Sequence, residues 1–284
     1  MTFLALLTLV LAGSDPEVPL RPLGRLNDPA IREASGIVAS RQHPGIYWVH
    51  NDSGNPPRLY AVRRDGSLVR EYAVPVPNVD WEDIAADEHG HLFLGDIGNN
   101  GNLLPLRAIY QLDEPDPLHD APAAGSVLPV VKVTTAAYYR FPAGGRFDAE
   151  GLVVDGDRAL VVAKTFDGRD AEVYAVSLRP PAPLFRPSLP AKVATLPGYT
   201  RPVTGADLSR DGKRLVVCSH DAVGVFERTD GDQWTPVSRH RFRKGEEIEA
   251  VAWDGDDLIL AGEARGVFRI TEADWRTSAR RRGR

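Results

Sequence analysis

The chain has 284 residues, with 34 Lys+Arg against 39 Asp+Glu and a formal net charge of −5. That balance excludes a strongly basic nucleic-acid binder, and 43% hydrophobic with 26% charged residues excludes wholesale disorder. The 26 Gly and 23 Pro favour many short strands divided by turns over long helices.

At the start, Phe3 to Ala12 form a short apolar run followed by Gly13, Ser14, Asp15 and Pro16. This is the pattern of a secretory leader over residues 1–14, although no Lys or Arg precedes the run. The run is too short to span a bilayer. An extracytoplasmic, monomeric protein without a transmembrane span is therefore expected, periplasmic or secreted. The sole cysteine, Cys218, cannot form an internal disulfide and falls in an apolar strand, so it reads as a small buried hydrophobe. Residues 275–284 read as a solvated basic tail.

Between these ends the chain repeats. First elements begin at Ser35, Glu82, Glu150, Ala206 and Glu249, at intervals of roughly 43 to 68 residues, a spacing that fits one supersecondary unit per repeat. Second elements read Tyr47 to Asp52, Leu92 to Asp96, Leu160 to Lys164, Leu215 to His220 and Leu258 to Glu263. Third elements follow at Leu59, Ala108, Val173, Gly224 and Gly266, and fourth elements at Leu68 to Val74, Val131 to Phe141, Lys192 to Leu196 and Thr235 to Phe242. Four antiparallel strands per unit make an all-β, single-domain β-propeller over residues 19–274, with five blades and six as the alternative count. The fifth unit has three strands, and Arg21 to Leu26 upstream can supply its missing outer strand and close the ring. The Pro-rich insertion Glu114 to Pro129 reads as a surface loop.

In such a blade the start of the first strand and the end of the second share one face. Acids gather at both places: Glu82, Glu150 and Glu249 at strand starts, and Asp96 and Glu263 at strand ends, with Lys164 and His220 among them. Three glutamates converging at about 5 Å repel by roughly 3 kcal/mol per pair at an effective dielectric near 20. A hard cation, Ca2+ or Mg2+, would neutralise them with oxygen ligands. So would a salt bridge to Lys164, protonation of one carboxyl, or solvation in a wide channel.

The segments His50-Asn-Asp-Ser-Gly, Asp80-Trp-Glu-Asp-Ile-Ala, Gly95-Asp-Ile-Gly-Asn-Asn, Asp148-Ala-Glu-Gly-Leu and Thr204-Gly-Ala-Asp-Leu resemble a group of exported, largely uncharacterised bacterial β-propeller proteins over most of residues 30 to 270. More distantly, the Glu-Gly-Leu strand start is similar to gluconolactonase-like and calcium-dependent phosphotriesterase-like propellers, and to esterase-like propellers sometimes named with phytases. In the gluconolactonase-like families a strand-start Glu, with Asn and Asp from other blades, holds a divalent metal. The resemblance therefore implies Glu82, Glu150, Glu249 and Asp96 as metal ligands. This chain departs from those enzymes in its five units against six, and in Ser35 and Ala206 where Glu would stand.

Other motifs carry less. Asp52-Ser-Gly and Gly95 to Gly101 lack the Lys-Ser/Thr ending of a phosphate loop and read as turns. Ser35, His50 and Asp83 contain the residue types of a nucleophilic triad, without a nucleophile-elbow motif. Trp81, beside Glu82, can floor a pocket or pack a blade. The combined expectation is an acidic channel mouth holding a divalent cation and a small polar or anionic ligand. If it is catalytic, metal-assisted hydrolysis of a lactone or phosphoester is expected, with Lys164 stabilising negative charge and His220 or Asp207 moving a proton. The alternative is a noncatalytic scaffold that binds a protein or envelope polymer, for which the 114–129 loop is the natural arm.

Overall fold

A computed structural model describes residues 15–99, 104–141, 147–179, 187–243 and 245–277; the expected leader and residues 278–284 of the basic tail lie outside them. Two short strands, β1 (Glu17–Val18) and β2 (Arg21–Arg25), precede the first blade. Blade 1 is β3 (Ala34–Ala39), β4 (Ile46–Asn51), β5 (Arg58–Arg63) and β6 (Leu68–Ala73). Blade 2 is β7 (Trp81–Ala86), β8 (His91–Asp96), β9 (Arg107–Asp113) and β10 (Val133–Tyr139). Blade 3 is β11 (Ala149–Asp155), β12 (Arg158–Ala163), β13 (Ala171–Ser177) and β14 (Ala191–Leu196). Blade 4 is β15 (Gly205–Leu208), β16 (Arg214–Ser219), β17 (Ala222–Asp230) and β18 (Gln233–Phe242). Blade 5 is β19 (Ile248–Asp254), β20 (Asp257–Gly262) and β21 (Gly266–Ile270), and β2 completes it antiparallel to β21.

The fold is thus a five-bladed β-propeller with β3, β7, β11, β15 and β19 around the axis. The ring closes by the strand exchange that the short fifth unit calls for. Large aromatics fill the wedges between blades: Trp48, Tyr72, Trp81 and Tyr110 pack together between blades 1 and 2. Trp81 is fully buried there, with Nε1–H donating to the Pro77 carbonyl at 2.9 Å. It is a blade-packing residue and does not reach the mouth.

Three outer edges carry an additional clasp, which blunts them against pairing with other chains. β1 pairs parallel with β18, Val130 bridges Ala73, and Ser188 bridges Tyr139. The Glu114 to Pro129 insertion is therefore anchored at both ends. Glu114 accepts hydrogen bonds from Trp48 Nε1 (2.8 Å) and from Ser40, Arg70 Nε donates to the Pro117 carbonyl at 2.8 Å, and Ala73 N donates to the Pro129 carbonyl at 2.9 Å. At the C-terminal end, helix α1 (Glu272–Trp275) opens with a Thr271–Asp274 capping box. It lays Trp275 edge-on to Trp253 at 5.7 Å. Trp275, placed in a solvated tail by the sequence pattern, is fully buried core.

Candidate functional site

Ser35, Glu82, Glu150 and Glu249 share one backbone device. In β3, β7, β11 and β19 the pairing register with the second strand slips at the second residue, so each of these four is the extra, unpaired residue of a β-bulge. A bulge bends the strand and re-aims its side chain. Blade 4 pairs regularly from Gly205, and its equivalent residue is Ala206. The acid positions are thus bulge positions, and the blade without a bulge has no acid there.

Around the bulges lies a cavity of about 220 Å³ lined by Glu82, Glu150, Lys164, His220 and Glu249, with Glu33, Ser35, Asp52 and Glu263 at its sides. Five of the seven expected site residues meet here. Lys164 Nζ forms an ion pair with Glu150 in which both side chains are largely buried. Burial pushes the Glu150 carboxyl up to about 7 against the pull of that ammonium. Burial also disfavours the Lys164 charge, but Glu150 and the acids behind it outweigh that, and its pKa ends above the ordinary value. His220 Nδ1 stands 3.3 Å from Glu249 Oε1, and this contact raises the imidazole pKa. Two of the three glutamates therefore each face a basic side chain of their own.

Glu82 has none. It is 3% exposed, and its Oε1 is sealed from water without a hydrogen-bond partner. Burial first, then Glu150, Asp52, Asp80 and Asp148, drive its pKa well above the ordinary carboxylate value. Ligand oxygens of Asp52, Asp80 and Glu82 all lie within 4.8 Å of one another. Asp80 and Glu82 flank Trp81 at the start of β7. Asp52 follows β4 in the neighbouring blade. The spacing was visible in Asp80-Trp-Glu, but the meeting with Asp52 across two blades was not.

Asp96 and Asp207 lie elsewhere. Asp96 Oδ1 accepts the Asp80 backbone N–H at 2.8 Å, and burial raises its carboxyl to about 6 against such donors. Its oxygens brace the turn into β7, and it is not among the cavity's lining residues. Asp207 sits toward the opposite mouth, beside a cavity of about 270 Å³ that also involves Arg41, Asp155 and Arg210. It accepts N–H groups from Leu208 and Trp253, both at 2.8 Å, and is too deep at the wrong end to move a proton at the acidic mouth. The triad types are not assembled either. Ser35 Oγ donates to the Glu82 carbonyl at 2.8 Å, and Asp83 accepts backbone N–H groups. His50 is buried with Nδ1 3.0 Å from the Asn51 carbonyl and is held neutral, its pKa lowered to about 4 by burial. Cys218 is buried, with Sγ 3.5 Å from Thr204 Oγ1.

No protein-family model matches the sequence, and no curated protein matches it significantly. Solved structures match through the fold, and the neighbours are β-propellers. Glutaminyl cyclase from Myxococcus xanthus superimposes with a TM-score of 0.52 at 12% identity, covering 89% of this chain and 97% of the other. A catalytically inactive variant of virginiamycin B lyase from Staphylococcus aureus, solved with quinupristin, gives 0.42 at 15% identity over 86% of this chain and 68% of that one. At such identities the likeness is one of architecture alone: this chain is a β-propeller whose chemistry has to be read from its own mouth.

Proposed function

We propose that the acidic mouth is the ligand site of an exported propeller, and that it hydrolyses a small polar ester, lactone or phosphoester with the help of a divalent cation. The observation that carries this reading is the single cavity in which Lys164–Glu150 and His220–Glu249 share the lining with Glu82, whose Oε1 is buried without a hydrogen-bond partner. The donor set fits a hard cation, being all carboxylate oxygen. Bound in the mouth, such an ion supplies Lewis-acid polarisation of a carbonyl or phosphoryl oxygen. Lys164, fixed by Glu150, offers an ammonium to negative charge developing on the ligand. His220 presents Nδ1 to Glu249, which leaves Nε2 to accept and return a proton. Asp207 is left out of the chemistry by its position.

The insertion Glu114 to Pro129 is tied down at both ends, so it does not favour the scaffold reading over this one. No helix among the described residues is long and apolar enough to cross a membrane.

A panel of lactones and phosphoesters, assayed with calcium, with magnesium and with chelator, tests the reading. Turnover that needs the ion and falls by about a hundredfold or more in His220→Asn, the usual weight of a general base, supports it. A wild-type protein inert toward the panel with both ions sinks it.

A further inference from the structure

We propose that the cation seat is off the propeller axis, on Asp52, Asp80 and Glu82 beneath the Cα of Gly98, and that its ion is calcium; the assignment rests on the cation-assisted reading above. The sequence pattern, by contrast, places the ion on the axis among Glu82, Glu150 and Glu249, with Asp96 as a fourth ligand.

The axial set is a poor cage. Glu150 and Glu249 already face Lys164 and His220, and Asp96 supports the backbone ahead of β7. A divalent ion at the centre would have to compete with the Lys164 ammonium and the His220 ring for the same oxygens. Off the axis, Glu82 Oε1 is buried without a donor. A buried carboxylate oxygen in that state is costly unless a proton or a metal ion meets it.

Space points the same way. A Cβ on Gly98 would stand 2.1 Å from Glu82 Oε1 and 2.6 Å from Asp80 Oδ2, so any side chain there would occupy the ground on which the two carboxylates converge. Gly98 is not among the glycines with positive φ, and backbone conformation therefore does not demand glycine at this position. Its N–H donates to the Asp80 carbonyl at 3.2 Å, which fixes the strand-end turn over the carboxylates.

Coordination chemistry favours calcium. Ligand oxygens within 4.8 Å of one another are close enough to share one ion, and calcium, at about 2.4 Å, tolerates an irregular carboxylate set, whereas magnesium demands a near-ideal octahedron at about 2.1 Å. Three protein carboxylates leave several of calcium's six to eight positions open. Asp52 and Glu82 also line the cavity, so an entering ligand can reach those positions. The ion would also tie blade 1, through Asp52, to blade 2, through Asp80 and Glu82.

The test is calcium titration of the chelated full-length chain, followed by calorimetry and by thermal unfolding. Calcium at a hundred times its Kd is expected to raise the wild-type midpoint by about 5–10 °C, with magnesium giving a smaller shift. Asp52→Asn and Gly98→Ala are each expected to weaken calcium binding by at least about tenfold. Glu150→Gln and Glu249→Gln should change it less than about threefold at physiological salt. Asp52 lies at the cavity's side and only partly buried, so Asp52→Asn keeps the test decisive if Gly98→Ala does not fold. Wild-type affinity in Asp52→Asn, with loss in Glu150→Gln and Glu249→Gln, overturns the off-axis seat and leaves the cation-assisted reading standing. A wild-type chain that responds to magnesium but not to calcium overturns the calcium assignment alone, and one that responds to neither ion overturns both.

Discussion

Glu82 and Asp83 stand side by side in β7, one at the rim of the channel and the other in its floor, and both are nearly sealed from water. The two oxygens of Asp83 take backbone N–H groups from its own strand and from two other blades: Ile84 at 2.9 Å, Leu152 at 2.8 Å and Ala206 at 3.0 Å. Asp207 repeats the device between blades 4 and 5 through Leu208 and Trp253. These floor acids replace hydrogen bonds that strands diverging from an axis cannot make to one another. Glu82, in contrast, leaves an oxygen without any donor. Burial of an acid does not by itself mark a site; the accounting of its oxygens does.

Substituting the two neighbours is the most direct way to break this distinction. Asp83→Ala orphans three buried N–H groups and is expected to cost about 3–5 kcal/mol, the scale for breaking a buried polar network. Glu82→Gln, measured in chelator at neutral pH, is expected to stay within about 1 kcal/mol of wild type, because the carboxyl it replaces is already biased toward its neutral form. Urea denaturation of both variants measures the gap. Equal losses would mean that rim and floor acids do the same structural work, and the case for a ligand at Glu82 would weaken accordingly.

The sequence carried the fold because each blade repeats the same punctuation, and the strand starts and ends could be aligned without knowing how blades pack. It carried the rim acids for the same reason, as Glu150-Gly-Leu and Glu249-Ala-Val occupy equivalent places. It did not carry the bulges, since the pairing slip at Glu82 or Glu150 is a relation between two strands. Asp96 and Asp207 show the complementary failure. Both are acids at the right place in the repeat, but their oxygens are used by backbone N–H groups that local sequence does not reveal. Asp52 joins Asp80 and Glu82 only because blades 1 and 2 are adjacent in the ring.

A second and smaller effect sharpens the view of the floor. Burial pushes the Asp207 carboxyl up to about 6, against Arg41 and the two N–H donors that pull it down, whereas an unfolded Asp titrates near 4. Between those values the folded chain holds a proton that the unfolded chain has released, so stability falls as pH rises through the interval. The penalty is complete above pH 6 and absent below about pH 4, and amounts to about 3 kcal/mol. Asp207→Asn cannot titrate. Wild-type stability should therefore gain on that variant as the pH is lowered from 7 to 4, and parallel curves for the two proteins would show that Asp207 is ionised in the folded state throughout.

The smallest effect separates a clasp from an arm. Tyr72, buried in the outer strand of blade 1, donates its hydroxyl to Asp120 Oδ2 at 3.0 Å, and the same oxygen accepts the Asp116 N–H at 3.0 Å. If the 114–129 insertion is held to blade 1 by such contacts, Tyr72→Phe removes one charge-assisted hydrogen bond and should lower stability by about 1–2 kcal/mol. Hydrogen exchange at the Ala73 and Val131 amides, which pair across the junction with the Pro129 and Ala73 carbonyls, should quicken with it. Unchanged exchange and stability would mean that the insertion is only loosely attached to the blade edge. That result would return it to consideration as a docking arm, because a segment free to move away from β6 leaves an outer strand that another chain can pair with.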